Sequence, residues 1–554
     1  MSILIELIIL LIISIGTIIS LSGLGQMLIF SFRSTLFESS FFGFLVLALI
    51  VTFVHFFFKI TFIISAIILF VGFFWGLKTF IISKLNNKKE IFILSLIILI
   101  LIPIYISQKY HEDFGYYHLP YIINVANEKI IFGLANVNRA FVHNSIWLNI
   151  LPIFYLNENF NFVTIPTFLI YCLLIIFSIK NIFYEKNKNI SNFFLIVSSF
   201  YLILKFTRIS EYGNDIPALI FSILSIYYFL KFSEENDIIL KKKFFFFNIS
   251  FTLFSILIKF SSIPLIILTL FLFLKNFRIL VIEIFKLHFI LIYFLLFIFF
   301  LQQFIYTGCV IFPSTFSCFD VLWSNDNFLN AKNRLELINK SYFASDARDF
   351  FSKDEYLKSF NWVPYWLKNN YHGILEHILT MILPLTFFLL ILKKYPKSCD
   401  EKLVFLNIKI FLFFVITGFI FWMSFSPVYR FGIIYFISIV FIVTLFIYRG
   451  VLFNKKVYMI FLSIFLFFNF SKNISRIYNQ DEVFVGIKKI KNEFIINEKV
   501  ENSIIKIFQP DIEANAKRGN GWQGRLCWDI KFLCTTNTIY IKKQKNYLII
   551  ENLQ

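Results

Sequence analysis

Residues 431–448, FGIIYFISIVFIVTLFIY, contain no charged side chain over a length suited to crossing a membrane. About 20 apolar residues in a helix span the hydrocarbon layer, which is about 30 Å thick. Similar stretches recur from Met1 to about Phe470, and they lack the alternation of polar and apolar residues found in membrane β-barrels. The sequence therefore predicts an all-α polytopic membrane protein.

The composition agrees with a membrane protein and argues against a soluble one. Of the 554 residues, 58% are hydrophobic and 15% are charged, whereas soluble domains carry about 25% charged residues. The formal net charge is +19, which in a soluble protein would suggest nucleic-acid binding. Here the basic residues concentrate in short loops between apolar segments. We therefore expect the lipid bilayer, and no nucleic acid, as a partner.

The basic loops predict the orientation of the chain. Cytoplasmic loops carry an excess of Lys and Arg, and the basic clusters recur here at intervals of two apolar segments, so all of them can face the cytoplasm. These clusters are Lys84/Lys88/Lys89, Lys180/Lys186/Lys188, Lys241/Lys242/Lys243, Lys275/Arg278, Lys393/Lys394/Lys397 and Arg449/Lys455/Lys456. The alternation predicts about 12 to 14 transmembrane helices.

Three regions follow from this pattern. Residues 1–90 contain N-terminal membrane helices, and residues 91–470 form a transmembrane core with outer loops 108–160 and 306–373. Residues 471–554 are polar enough to form a small extracytoplasmic α+β domain. We expect strands in NSIIKIF, NTIYIKK and KNYLII, with a glycine-rich turn at RGNGWQG.

The cysteines are spaced for disulfides rather than for a zinc site. The sequence contains no CxxC pair and no Cys/His group at zinc spacing. Two pairs fall in segments that we assign to the outer side, where oxidation is permitted. Cys309 with Cys318, and Cys527 with Cys534, are therefore candidate disulfides.

The most informative segment follows the fourth predicted span. His111, Glu112, Asp113 and His118 fall within eight positions just outside the membrane. Such a cluster can bind a metal ion or accept a proton. Asp113 is our candidate general base, with Glu112 or His118 assisting, because partial desolvation makes a carboxylate more basic. The alternative is a hydrated loop whose acids pair with nearby lysines.

Two local predictions concern helices near this segment. Residues 119–132 have apolar side chains at helical spacing interrupted by polar ones, which predicts an amphipathic helix on the bilayer surface. Asp215 precedes Pro217 at the start of a predicted span, and we expect it to cap that helix.

A second group of basic residues lies near the outer ends of spans, against the usual distribution of charge. These residues are Arg139, Lys205, Arg208, Lys259 and Arg430. All except Lys205 are candidates for binding the phosphate of a lipid-linked donor, since Arg offers a two-point hydrogen bond and Lys a point charge. The alternative is that each side chain extends toward lipid headgroups.

The architecture resembles the GT-C class of membrane glycosyltransferases, which use a polyprenyl-phosphate carrier and place a catalytic acid in the first large outer loop. Asp113 in HEDFGYYHLPYI occupies the matching position. More closely, the chain resembles an uncharacterised bacterial family of multi-spanning proteins in motifs between Tyr110 and Cys534. These motifs are DFGYYHLPYI, GLANVNRAFVHNSIW, SEYGNDIPA, KFSSIPL, GCVIFPST, SPVYRFG and CWDIKFLC. Unlike better-known GT-C members, the chain has extra spans before the acidic loop and no clear paired-acid motif in a second outer loop.

The resemblance implies a glycosyltransferase that moves a sugar from a polyprenyl-phosphate donor to an envelope glycan, lipid or protein acceptor. It would act at the outer face of a bacterial cytoplasmic membrane. The alternatives are a transporter or flippase of lipid-linked saccharides, which would use ionisable residues within its spans such as Lys205 and Lys259, and an O-antigen ligase or polymerase. The need for a divalent metal ion stays open, no other cofactor is implied, and the oligomeric state is open.

Overall fold

The computed structural model describes residues 3–82, 86–107, 113–156, 162–184, 190–209, 213–312, 314–324, 328–392, 401–448, 454–479, 495–501, 503–509, 527–535 and 537–552. The helices are α1 (Ile3–Leu28), α2 (Leu36–His55), α3 (Phe62–Ile82), α4 (Asn86–Ile106), α5 (Leu119–Asn127), α6 (Leu134–Val137), α7 (Ile146–Ile150), α8 (Ile165–Tyr184), α9 (Ile190–Lys205), α10 (Asp215–Glu234), α11 (Ile238–Ile258), α12 (Ile266–Lys275), α13 (Phe277–Leu280), α14 (Leu287–Thr307), α15 (Phe328–Asn339), α16 (Lys353–Leu357), α17 (Trp362–Leu392), α18 (Glu401–Phe425), α19 (Ile433–Tyr448) and α20 (Lys455–Tyr478). The strands are β1 (Ile495–Val500), β2 (Ser503–Phe508), β3 (Leu533–Cys534), β4 (Ile539–Gln544) and β5 (Tyr547–Asn552).

Nine helices of the described chain are long and apolar enough to cross a membrane, namely α1, α2, α3, α8, α10, α14, α17, α18 and α20. A pair of helical segments around α12 and α13, bent by 94°, adds a tenth if it forms one span. Shorter apolar helices are α4, α9 and α19, and α11 has a full span's length but carries three lysines in its first turns. The chain is therefore a multi-pass helical membrane protein, as its composition predicts.

Small residues bring the first three helices close together. A Cβ atom on Gly43 would lie 2.0 Å from the carbonyl oxygen of Leu21, and one on Gly23 would lie 2.0 Å from that of Gly72. Within a membrane, where packing rather than the hydrophobic effect drives helix association, small residues allow such close approach. α1 accordingly contacts both α2 and α3 along much of its length.

One end of the helix bundle gathers basic side chains. Lys243 Nζ lies 3.2 Å from Glu38 Oε2 near the start of α2. The ammonium of Lys180 lies 5.4 Å from the ring centroid of the adjacent Phe37, and Lys455 donates to a carbonyl oxygen near the end of α8 at 2.5 Å. Members of three predicted basic clusters therefore share this end, which we call the lysine end.

The opposite end carries the long connections, and we call it the loop end. The segment 113–156 follows α4, and the segment 308–361 lies between α14 and α17. The two segments are in contact, since Asn136 Nδ2 donates to the carbonyl oxygen of Trp323 at 3.1 Å. A backbone N–H group of the first segment also donates to the carbonyl oxygen of His55, the last residue of α2, at 3.1 Å.

The predicted surface helix at residues 119–132 is instead the helix α5, and it lies inside the protein. Every residue from Leu119 to Val125 is buried, and α5 contacts α7 and the strand β3. The prediction of a helix on the bilayer surface is therefore wrong. The polar residues of α5 indicated a face in contact with water, but neighbouring elements cover that face as well.

The strands near the C-terminus form two small sheets. In one, β1 and β2 are antiparallel and β2 and β3 are parallel, while β4 and β5 form an antiparallel hairpin. The predicted strands correspond to β2, β4 and β5, and the predicted turn at RGNGWQG lies outside the described residues. The helix α20 continues to Tyr478, beyond the predicted start of this region at residue 471, because polar residues extend it past the apolar stretch.

These strands pack directly on the segment that contains Asp113. The backbone N–H of Phe132 donates to the carbonyl oxygen of Leu548, and the N–H of Ile550 donates to that of Phe132, both at 2.9 Å. Asn136 Nδ2 also donates to the carbonyl oxygen of Ile550 at 2.8 Å. The C-terminal strands are thus part of the loop end rather than an isolated module.

Candidate functional site

Asp113 directly precedes a π-helical turn, Phe114–His118, that leads into α5. The carbonyl oxygen of Gly115 in this turn accepts hydrogen bonds from the backbone N–H groups of Cys527 (3.0 Å) and Trp528 (2.9 Å). Such turns are rare and occur frequently at functional sites. The C-terminal region therefore fixes the backbone two residues after Asp113, whose side chain is half-buried.

Asp215 joins two basic side chains from distant parts of the chain. Lys259 follows the last residue of α11, and Arg430 lies in a short turn, Tyr429–Phe431, between α18 and α19. Lys259 Nζ donates to Asp215 Oδ1, and Arg430 Nε lies 3.3 Å from Asp215 Oδ2. The predicted capping role of Asp215 is wrong, because Asn214 occupies the N-cap position of α10 and the Asp215 carboxylate contacts the two cations instead.

The charge of Asp113 acts on the same ion pairs. Burial lowers the pKa of Lys259 to about 8, against the opposing attraction of Asp215 and of Asp113. Burial also disfavours the charge of Arg430, but Asp215 and Asp113 outweigh it and raise the pKa of that guanidinium. Two carboxylates and two cations therefore share one environment without a net formal charge. We call Asp113, Asp215, Lys259 and Arg430 the charged cluster.

Tyr117 and His143 lie beside the charged cluster. Burial, followed by the charges of Asp113 and Asp215, raises the pKa of Tyr117, so its hydroxyl keeps its proton. Burial lowers the pKa of His143 to about 4, although Asp113 opposes the shift, so its ring is neutral near pH 7. The rest of the His143 side chain is exposed to solvent. Both side chains offer uncharged hydrogen-bonding groups.

His118, a candidate assistant to Asp113, lies at the end of the same turn but is buried among other residues. A Cβ atom on Gly213 would lie 2.6 Å from His118 Cε1. With Trp147 and Thr164, His118 lines a cavity of about 20 Å³, enough for about one water molecule. Its surroundings fit a structural role at least as well as contact with a substrate.

The other acidic-loop candidates, His111 and Glu112, lie outside the described residues. Within the part of the chain that the structure describes, no three His, Cys, Asp or Glu side chains lie close enough together to hold a metal ion.

The structure separates the four candidate phosphate-binding residues into three places. Lys259 and Arg430 belong to the charged cluster. Arg139 is exposed on the turn Arg139–Val142. Arg208 lies after α9, where its charge acts on Lys472 of α20. The four residues were grouped because each lies near the outer end of a predicted span, and this criterion does not predict which of them share one site.

Both candidate disulfides are formed. Cys309–Cys318 closes the turn after α14, and Cys527–Cys534 closes the turn that carries Trp528. A Cβ atom on Gly115 would lie 2.6 Å from the indole ring of Trp528. The second disulfide therefore belongs to the loop that contacts the backbone next to Asp113.

A buried polar network lies beneath this region and was not predicted. Tyr121 OH donates to Asn149 Oδ1 (2.5 Å), and Asn149 Nδ2 donates to Gln302 Oε1 (2.7 Å). Gln302 Nε2 donates to Tyr306 OH (3.0 Å), and Asn149 Nδ2 also donates to Thr52 Oγ1 (3.0 Å). The network joins α2, α5, α7 and α14. It holds the segment after Asp113 in a defined position, since satisfied buried polar groups make a core more specific.

The motifs quoted above contain a signal for residues that were missed. Asp215 lies in SEYGNDIPA, Lys259 in KFSSIPL and Arg430 in SPVYRFG, while Asp113 opens DFGYYHLPYI. His143 lies in GLANVNRAFVHNSIW. Each residue of the charged cluster therefore falls in a separate motif. The polar residues of these motifs, taken together as site candidates, contain both Asp215 and His143.

The fold and this site define a class, namely multi-pass helical membrane proteins with a half-buried charged cluster at one end of the bundle. The chain belongs to the family described as a domain of unknown function (DUF8201), whose model matches residues 2–437. The matched region contains the whole charged cluster and ends within α19. No curated protein and no solved structure gives a significant match to the chain.

Proposed function

We propose that the protein is a GT-C-type membrane glycosyltransferase that moves a sugar from a polyprenyl-phosphate donor to an envelope glycan, lipid or protein acceptor. The observation that carries this proposal is the shared environment of Asp113, Lys259 and Arg430 in the charged cluster. Transfer requires a base for the acceptor and positive charge for the departing phosphate. The charged cluster contains both.

In the proposed reaction, Asp113 accepts the proton of an acceptor hydroxyl while the hydroxyl oxygen forms a bond to the anomeric carbon of the sugar. The bond from that carbon to the phosphate oxygen breaks, and its electron pair leaves with the phosphate. Lys259 and Arg430 stabilise the negative charge that develops on the departing oxygen. One negative charge disappears at Asp113 as another forms on the phosphate, so the net charge of the charged cluster and the bound donor stays constant.

Asp215 holds the two cations before a donor binds. Removing one partner of a buried ion pair commonly costs about 3–5 kcal/mol, because the remaining charge is left without compensation. The Asp215 side chain is 9% exposed, against 19% for Lys259 and 26% for Arg430. The two cations are therefore partly exposed to solvent, and in this proposal a phosphate replaces part of their contact with Asp215.

The positions of two lysines favour transfer over transport. A flippase for lipid-linked saccharides is expected to place ionisable side chains along the middle of its spans. Lys205 is the last residue of α9, and Lys259 follows α11, so both lie at helix ends. This arrangement supports chemistry at one face of the membrane.

We further propose that the loop end faces outward from a bacterial cytoplasmic membrane. The positive-inside rule assigns the lysine end to the cytoplasm. The disulfides Cys309–Cys318 and Cys527–Cys534 suit an oxidising compartment on the opposite side. The C-terminal strands are then extracytoplasmic, and a polyprenyl-phosphate-linked sugar reaches the charged cluster from the outer leaflet.

The central test replaces the proposed base. We expect Asp113→Asn to lower transfer by about 100-fold or more, because an amide does not accept the acceptor proton. Cells that carry this variant as their sole copy should accumulate lipid-linked sugar, which mass spectrometry of lipid extracts measures. Asp349→Asn, which removes an exposed carboxylate elsewhere at the loop end, is the matched control. Full activity of a stably expressed Asp113→Asn variant would refute the catalytic role.

A further inference from the structure

The disulfide-closed loop after α14 exposes apolar side chains at the loop end. Its residues 308–323, GCVIFPSTFSCFDVLW, contain one charged residue, Asp320. Phe316 is 92% exposed and Leu322 is 69% exposed. Several exposed apolar side chains on one short loop indicate contact with another molecule or with a membrane. We call the exposed side chains Ile311, Phe316, Phe319 and Leu322 the loop patch.

The helix before this loop carries a stripe of exposed apolar side chains. α14 is a candidate span, and its stripe contains Leu287, Ile290, Phe294, Phe297 and Leu301. These residues follow one another at intervals of three or four positions, so they lie on one face of the helix. In a span, an exposed apolar face is the one that lipid chains contact.

Phe304 joins the stripe on α14 to the loop patch. It is half-buried three positions after Leu301, and its ring centroid lies 5.7 Å from that of Phe319. Trp323 contacts the same residue, because its Nε1 donates to the carbonyl oxygen of Phe304 at 3.3 Å. The loop therefore packs on α14 directly beyond the end of the stripe. Tryptophan is enriched at this level of a membrane protein, where the apolar layer meets water.

Several backbone groups of the loop are hydrogen-bonded within it. The N–H of Val310 donates to the carbonyl oxygen of Ser317 at 3.0 Å, and the N–H of Phe319 donates to that of Gly308 at 2.9 Å. The N–H of Ile311 donates to Ser317 Oγ at 3.0 Å. A backbone enters an apolar phase at low cost only where the protein itself satisfies its polar groups. These hydrogen bonds therefore suit the loop to contact with lipid.

The inner side of the loop is packed against the protein. Phe312 is buried, and its ring centroid lies 5.5 Å from that of His143, which lies beside the charged cluster. Cys309 is buried as well, and its disulfide with Cys318 closes the loop. Because buried side chains and a covalent bond hold the loop, the loop patch keeps a fixed position relative to α14.

We propose that the loop patch inserts into the surface of the lipid leaflet at the loop end. Apolar faces at this level bury their side chains about 5–10 Å into the boundary between headgroups and acyl chains. The exposed carboxylate of Asp320 limits the depth, since a charge is costly to bury. Continuity with the stripe on α14 favours lipid over a protein partner. The insertion requires only a bilayer and does not depend on the proposed transfer reaction.

The test measures the depth of single fluorophores on the full-length protein in liposomes of phosphatidylglycerol and phosphatidylethanolamine. In a Cys399→Ser background, an environment-sensitive fluorophore is attached to Leu322→Cys, which leaves the rest of the loop patch and the disulfide in place. Phe297→Cys in the stripe and Asp354→Cys, an exposed polar position at the loop end, are the references.

We expect the fluorophore on Leu322→Cys to emit at shorter wavelength than the one on Asp354→Cys. Lipids with a nitroxide near the headgroup should quench it more strongly than lipids with a nitroxide deep in the acyl chain, as a shallow insertion requires. The fluorophore on Phe297→Cys should show the opposite order, because this residue lies in the middle of α14.

A second replacement tests whether the loop patch itself holds the loop in lipid. Phe316→Asn in the Leu322→Cys background should lower the quenching, since burying one phenylalanine favours the apolar phase by a factor of about 10 or more. Phe350→Asn, which replaces another phenylalanine at the loop end with 70% exposure, is the matched control.

Each outcome bears on the insertion. Quenching that falls in Phe316→Asn but not in Phe350→Asn supports it. Equal emission and quenching of the Leu322→Cys and Asp354→Cys reporters, or equal quenching in the two asparagine variants, would overturn it. Short-wavelength emission without quenching by any nitroxide lipid would also contradict it, because a protein partner or a second copy would then cover the loop patch. Asp113→Asn should give wild-type quenching, so failure of the proposed reaction leaves this result interpretable.

Discussion

At the scale of single residues, Asp215 is the centre of the charged cluster because it contacts both Lys259 and Arg430. Its neighbours in the sequence, Asn214 and Pro217, resemble the start of a helix, and this local pattern suggested a capping residue. The pairing depends on residues 44 and 215 positions further along the chain. No local pattern around Asp215 contains that information.

The lowered pKa of Lys259 predicts a loss of activity at alkaline pH. Its ammonium loses its proton as the pH rises through about 8, and the departing phosphate then has one cation fewer. We expect transfer to fall about tenfold for each further pH unit. A Lys259→Arg variant, whose guanidinium keeps its proton, should stay active at higher pH. The measurement is the transfer rate of both proteins across a pH series.

Thermal unfolding at the same pH values is the control for this prediction. Above about pH 8, folded Lys259 has lost a proton that the unfolded chain still carries, so unfolding takes up a proton. This group therefore makes the folded state more stable as the pH rises toward the ordinary pKa of lysine. Loss of activity without loss of stability would show that deprotonation of Lys259, and not unfolding, lowers the transfer rate. Constant wild-type activity up to about pH 10 would show that the charge is not needed.

At the scale of elements, the π-helical turn Phe114–His118 and the C-terminal loop act as one unit. The N–H groups of Cys527 and Trp528 converge on the carbonyl oxygen of Gly115, and the Trp528 ring packs where a Cβ atom on Gly115 would lie. The loop is closed by a disulfide. The position of Asp113 therefore depends on a part of the chain more than 400 residues away.

We expect Gly115→Ala to lower transfer by about 10- to 100-fold, because the added methyl would lie 2.6 Å from the Trp528 ring and displace the turn that directly follows Asp113. Gly16→Ala in α1, where nothing lies within 4 Å of the added methyl, is the matched control. Transfer and membrane abundance are measured for both.

A second replacement separates positioning from general damage. Removing the ring with Trp528→Ala in the Gly115→Ala background should restore part of the activity, since the clash disappears. Normal transfer by Gly115→Ala alone would show that this contact does not position Asp113. Equal losses in Gly16→Ala and Gly115→Ala would point to a general effect of adding a methyl group in a membrane protein.

At the scale of the whole molecule, the two ends of the bundle differ in chemistry. The lysine end holds ion pairs such as Lys243–Glu38, and the loop end holds the charged cluster and both disulfides. The proposed function requires the lysine end to be cytoplasmic. A chain inserted the other way round would place the charged cluster in the compartment opposite its proposed acceptors.

Labelling of single cysteines tests this orientation. Asp354 and Asn236 are both exposed, Asp354 at the loop end and Asn236 at the lysine end. In a Cys399→Ser background, a membrane-impermeant maleimide should therefore label Asp354→Cys in intact cells. It should label Asn236→Cys only after permeabilisation. The native Cys172 is buried, and the two disulfides offer no thiol. Labelling of Asn236→Cys in intact cells would reverse the proposed orientation.

The sequence by itself determined the features that depend on local composition. Apolar stretches predicted the spans, the strands β2, β4 and β5 follow from short apolar runs between turns, and the Lys180, Lys243 and Lys455 clusters share one end as their spacing indicates. Each of these features depends on how the side chains of a few neighbouring residues partition between water and an apolar phase.

Only the tertiary structure decided the features that depend on contacts between distant residues. It buried α5 on both faces, paired Asp215 with Lys259 and Arg430, and brought Arg208 to Lys472 rather than to the charged cluster. Hydropathy shows that a segment enters the membrane, but not which neighbour its polar residues meet there. That choice follows from helix packing, and it determines where a charge is paired and where it remains available to a ligand.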